Sequence, residues 1–87
     1  MVGEVKNAAG LVFAKDKFNV VKKAGVKGDL IPKHNHAEAY IILTVVKGAV
    51  RVFLNDAETH DLIPGDILYF DGDNYINAEF LEDGEFF

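Results

Sequence analysis

His34-Asn35-His36 is the segment of this 87-residue chain whose residue types and spacing most clearly suggest chemistry. Residues i and i+2 of an extended segment project to one face, so the two imidazoles can converge on one ion or one ligand. Imidazole suits Fe, Zn, Cu and Ni, and Mn when carboxylates join it. Two ligands fall short of the three that a catalytic metal site usually offers beside an open position. Glu38 shares the parity of the pair and is the nearest carboxylate, which makes it the candidate third ligand. Tyr40 could reach a metal or hydrogen-bond a ligand, and serves equally well as a core aromatic. Asn74 and Asn77 could add amide contacts, whereas His60, before Asp61-Leu62, reads as a partly exposed surface residue.

Composition removes most other chemistry. The chain has no cysteine, so disulfides, thiolate metal sites and a cysteine nucleophile are excluded. It has no serine either, leaving Thr44 and Thr59 as hydroxyls, neither in a nucleophile context. No glycine-rich phosphate loop precedes a helix. Lys47 at its turn lacks the Asp or Met neighbours of a lipoyl- or biotinyl-bearing lysine.

A net charge of −5 argues against nucleic acid as a partner. That charge is unevenly spread. Residues 1–47 hold eight Lys and four acids, whereas residues 48–87 hold one Arg and ten acids. The plain reading is solvated strand faces; the sharper one sets basic N-terminal and acidic C-terminal segments side by side. No basic leader with a sustained apolar stretch and no membrane-length apolar run is visible, so a soluble cytoplasmic protein is expected, with no membrane partner.

The elements that must position the histidines are strands. Apolar or alternating runs recur at 11–14, 18–24, 30–36, 40–46, 49–54, 59–63, 67–70, 76–81 and 85–87. Lys47-Gly48, Asn55-Asp56, Pro64-Gly65-Asp66, Asp71-Gly72-Asp73-Asn74 and Asp83-Gly84 separate them as turns. Many short strands at such spacing predict one all-β domain over 1–87, a sandwich or barrel. Tyr40–Val46 is apolar on both faces: Ile41, Leu43 and Val45 on one, Tyr40, Ile42 and Val46 on the other. A strand buried on one side would alternate, so this one needs a second cover, and a homodimer is expected.

Gly28, five residues, His34-x-His36 and then Gly48 resemble the first signature of the cupins, G-x5-H-x-H-x3–4-E-x6-G. Pro64-Gly65-Asp66 and the apolar 67–70 that follow resemble the start of the second, G-x5-P-x-G-x2-H-x3-N. The resemblance runs from about Gly25 to Leu81. It implies a double-stranded β-helix, the cupin jelly-roll barrel, often dimeric, with a divalent metal on three His and one Glu. The departures are specific. The Glu position falls at Ile41, or at Tyr40 with the shorter spacing, and the third His falls at Ile76.

The expected function is therefore a small cupin binding a small molecule with a polar or anionic head, in a barrel pocket around His34 and His36 with Tyr40, Ile41 and Ile76. Leu43, Val45 and Val52 would extend its apolar wall. A second reading is a metal-dependent dioxygenase or isomerase in which His34 and His36, with Glu38 or an external ligand, hold Fe, Mn, Zn or Ni; the two missing ligands weigh against that cofactor. A third is a structural or strand-swapped interaction domain joined by the basic and acidic halves.

Overall fold

The computed structural model describes residues 2–87, and nine strands follow one another along them. They are β1 (Gly10–Ala14), β2 (Asn19–Gly25), β3 (Leu30–His34), β4 (Tyr40–Lys47), β5 (Val50–Leu54), β6 (Glu58–Leu62), β7 (Ile67–Asp71), β8 (Ile76–Phe80) and β9 (Gly84–Phe86). Every run expected from the sequence forms a strand. They make two sheets, ordered β1-β2-β9-β4-β7 and β3-β8-β5-β6, with every pairing antiparallel. This is the two-sheet, all-β jelly roll that the resemblance implies.

The turn residues explain the connections. Between β5 and β6, Asn55 and Asp56 both adopt left-handed backbone (φ 54 and 55), a conformation Asn and Asp tolerate and a tight hairpin requires. Gly48, between β4 and β5, combines φ +78 with close approach: a Cβ there would stand 2.4 Å from the Asp83 carbonyl oxygen. The last glycine of the first signature thus locks one hairpin against the turn before β9.

Alternation along each strand fills the space between the sheets. Val50, Val52 and Leu54 of β5 face Leu43, Val45 and Phe70 of the other layer in one cluster, with Val50 and Val52 fully buried. Phe80 of β8 and Phe86 of β9 join the layers, ring centroids 5.7 Å apart. The expected end strand is present, and Phe86 is buried in it.

The uneven charge has a spatial meaning. Lys22 on β2 pairs with Glu85 on β9 at 3.1 Å, Lys33 with Asp56 at 2.5 Å, and the Lys27 backbone N–H donates to Asp83. Basic N-terminal residues do lie along acidic C-terminal ones, within one chain. On the outer face of the four-stranded sheet Arg51 binds Asp61 through two parallel hydrogen bonds of 2.7 and 3.0 Å. The hydrogen bond from Arg51, more than its bare charge, holds the Asp61 carboxyl below its ordinary range, and Arg51 is raised in turn. Because the carboxyl's folded value is the lower one, the pair's contribution is complete above the ordinary aspartate range and is lost as pH falls through that lowered value. A carbon-13 titration should find Asp61 titrating at lower pH than a free aspartate and returning to the ordinary range in Arg51→Gln; no change in that variant would refute the pairing.

Candidate functional site

His34 reaches the interior through an irregularity in β3. Leu30 and Ile31 pair with Glu79 and Ala78 of β8, but the next partners are His34 and Ile76. Three residues on one strand therefore span two on the other, a bulge at Pro32-Lys33. The strand is a sheet edge, where a proline's missing N–H is tolerated. Ile31 and His34 are three apart, which strict alternation would send to opposite faces. The bulge restores both to the inner face, beside the buried Ala78 and Ile76. Lys33 is pinned outside, its ammonium on Asp56 and 5.7 Å from the centre of the Tyr75 ring.

The expected strand to residue 36 ends at His34, so His36 is brought near by a turn and not by alternation. The His36 N–H donates to the Gly72 carbonyl and the Gly72 N–H to the Ala39 carbonyl, both at 2.8 Å, while the Ala39 N–H closes back on His36. A Cβ on Gly72 would lie 2.3 Å from the His36 carbonyl oxygen. The glycine thus lets the β7–β8 turn clamp the histidine loop. Sequence reasoning placed Gly72 in a turn but gave no sign that this turn grips the histidines.

The two imidazoles meet edge to face, ring centroids 4.9 Å apart. His34 Nδ1 lies 2.7 Å from the Pro32 carbonyl oxygen, which can only accept, so Nδ1 carries the proton. In the neutral ring Nε2 is then left as the acceptor, and it becomes a second donor when the ring is charged.

Other expected site residues go elsewhere. Glu38 adopts φ 66, its N–H donates to Asp73 Oδ1, and it lines a cleft with Ala39, Tyr40, Asp71 and Asp73. Among the described residues no group of three or more His, Asp or Glu is placed to hold a metal, so Glu38 does not complete a set with the histidines. The cause is local: the strand ends at His34, and Glu38 lies with left-handed backbone in the turn that follows, where strand parity does not apply. Tyr40 stands on the outer face of β4 opposite Asp71, 78% exposed, with its ring tilted on Tyr69 at 6.3 Å. Ile41 and Ile76 point inward. Ile76 is the direct cross-strand partner of His34, so the position of the family's third histidine does lie in the site and carries an alkyl group. Asn77 lies on the opposite face from Ile76, and Asn74 bonds Asn55. His60 is half-buried with Nε2 2.5 Å from Glu58.

Leu43, Val45, Val52 and Ile76 pack on one another as core, instead of walling an open pocket. The cleft at Glu38 is about 150 Å³, below the size of drug-scale pockets, and neither it nor the hollow at Ala14–Phe18 includes a histidine. The candidate site is consequently the imidazole pair itself, half-buried His34 beside Ile76 with exposed His36 at its edge. Its residues do not fit the three-His, one-Glu metal set that the resemblance implies.

No family model matches the chain, and none of the curated proteins does. Among solved structures it is similar to KdgF from a Halomonas species, at 26% identity over 87% of this chain and 68% of that one, with a TM-score of 0.78. It is also similar to a cupin superfamily protein from Desulfitobacterium hafniense DCB-2, at 10% identity, 94% and 78% coverage and a TM-score of 0.80. A third is an RmlC-like cupin family protein with a double-stranded β-helix fold from Methanocaldococcus jannaschii, at 18% identity, 99% and 85% coverage and a TM-score of 0.80.

Proposed function

Since the chain has the cupin jelly-roll fold, we infer that it is a small-molecule-binding domain of that fold, acts as a homodimer, and takes its ligand at His34 and His36. The observation that carries this reading is the pair itself. Two imidazoles meet edge to face, and the one whose tautomer Pro32 fixes stands beside Ile76. Such a pair suits a compact ligand with a polar or anionic head. The head accepts hydrogen bonds from charged imidazoles, or donates to a neutral His34 Nε2, and an apolar portion rests on Ile76 and Ile41. Tyr40, on the outer face, has no part in it.

Nitrogen-15 imidazole spectra test the proposal with a panel of small carboxylates, from acetate to citrate. A binding carboxylate should move the His34 and His36 signals, and His34→Ala should weaken binding about 10-fold or more, as expected for losing a charge-assisted hydrogen bond. Binding unchanged by His34→Ala and by His36→Ala, or no member of the panel moving either ring, would overturn it. A stoichiometric metal in untagged protein, lost in His34→Ala and accompanied by turnover, would replace it with the metal-enzyme reading.

A further inference from the structure

The outer faces of the two sheets differ most at β4 and β7. The four-stranded sheet shows Arg51, Asp61 and Glu79 on its outer face, with Leu30 at its edge. On the five-stranded sheet, strand alternation turns Tyr40, Ile42 and Thr44 of β4 outward beside Ile67 and Tyr69 of β7. Ile42 is 67% exposed, Ile67 72% and Tyr69 59%. Phe87, which exchanges both backbone hydrogen bonds with Thr44, extends the surface on the other side of β4. Leu43 and Val45 alternate inward and are buried, so these outward side chains are not needed by the core within one copy. A water-facing sheet needs no such residues, and contiguous exposed apolar patches of this kind mark interaction surfaces.

We propose that this face is covered by the same face of a second copy of the chain, related by a two-fold axis that crosses β4 at Thr44. This rests on the homodimer reading above and assigns it a surface and an orientation. Two observations favour a second copy. The first is area: β4, β7 and Phe87 beside them make three strands at about 4.8 Å spacing, and about seven residues at about 3.3 Å rise give a flat patch of roughly 300 Å² in projection. With side-chain relief and a polar rim, that is the scale of the apolar centre of a stable interface burying about 800 Å² per partner.

The second is charge. The patch ends in Asp71, opposite Tyr40, at one end of β4, and in Lys47 at the other, which register with Glu85 places on the same outer face. A two-fold axis through the middle of β4 runs the two strands in opposite directions. It thereby sets each Asp71 near Lys47 of the other copy, a self-complementary arrangement.

The absence of cysteine makes the test direct. Light scattering of the intact chain at about 100 µM should give a dimer, and Ile42→Asp a folded monomer by circular dichroism. Thr44→Cys should oxidise to a covalent dimer, because the two copies of that position meet at the axis. Thr59→Cys, on the outer face of the other sheet, should not. Asp71→Lys should weaken the dimer, and Asp71→Lys with Lys47→Asp should restore it. A monomeric wild-type chain would overturn the homodimer reading and this one together. A dimer in which Thr44→Cys fails to crosslink would overturn only this face. Should Ile42→Asp not fold, Tyr69→Asp gives the same comparison, and the crosslinking result stands independently.

Discussion

Replacing Ile76 by histidine is expected to create a metal site where the chain has two imidazoles. Ile76 and His34 are directly opposed across β3 and β8, so their Cβ atoms lie about 4.5–5.5 Å apart on one face. His36 already touches His34 edge to face. A third imidazole at position 76 would give the three-nitrogen set that binds zinc or cobalt with an open position. Losing even an outer partner of a metal ligand costs about 10–100-fold in affinity, so gaining a ligand should raise affinity by ~100-fold or more.

Two effects compete in the apo variant. A polar ring replaces a buried alkyl group, which lowers stability. Metal binding to the folded state alone then returns about 2.7 kcal/mol at one hundred times the dissociation constant. For a chain of this size that is a rise in melting temperature of roughly 10–20 °C. Cobalt absorption and melting curves with and without chelator measure it. The unaltered chain should show far less, and adding His34→Ala to the variant should abolish the gain. An Ile76→His protein indifferent to metal would mean that positions 34, 36 and 76 do not converge.

Gly72→Ala should be the most damaging single methyl near the site. Its Cβ would meet the carbonyl oxygens of His36 and Ala39 at 2.3 and 2.7 Å, both backbone atoms that move only by dragging the loop. The same displacement strains the reciprocal hydrogen bonds between Gly72 and residues 36 and 39. Overpacking of this kind costs about 1–3 kcal/mol, a large share of the roughly 4–13 kcal/mol expected for a domain this size. Urea unfolding should show an earlier midpoint at unchanged slope. The His36 ring signals should shift more than those of His34, which Pro32 holds within β3. Gly3→Ala, where a Cβ meets nothing within 4 Å, serves as the control. Equal stability of the two variants would show that the turn does not grip the loop.

These two positions also show how far the sequence could be read. Asn55-Asp56, Gly48 and the other turn residues made all nine strands visible, because their backbone demands are local. The two apolar faces of β4 were equally legible, and alternation alone separates Tyr40 from Ile41. Grouping both around one pocket set that alternation aside. What alternation hid was the pair of places where it fails. The bulge at Pro32-Lys33 depends on pairing with β8, more than forty residues further along the chain, and the left-handed Glu38 depends on a bond to Asp73. Neither partner is local, so parity counted along one strand could foresee neither the bulge that turns His34 inward nor the turn that carries Glu38 to Asp73.

The position of β9 has a consequence for how the chain folds. The strand last in sequence order lies at the centre of the five-stranded sheet, between β2 and β4. Until it arrives, β2 has only β1 beside it, and β4 only β7. The half-sheets remain separate, with Phe80 lacking its partner Phe86. Folding must therefore close its longest loop before the centre of the sheet rewards it, which places the chain among slow, topology-limited folders on the order of milliseconds to seconds. During that interval the edges of β2 and β4 are open to strands of other molecules, so refolding yield should depend on how dilute the chain is.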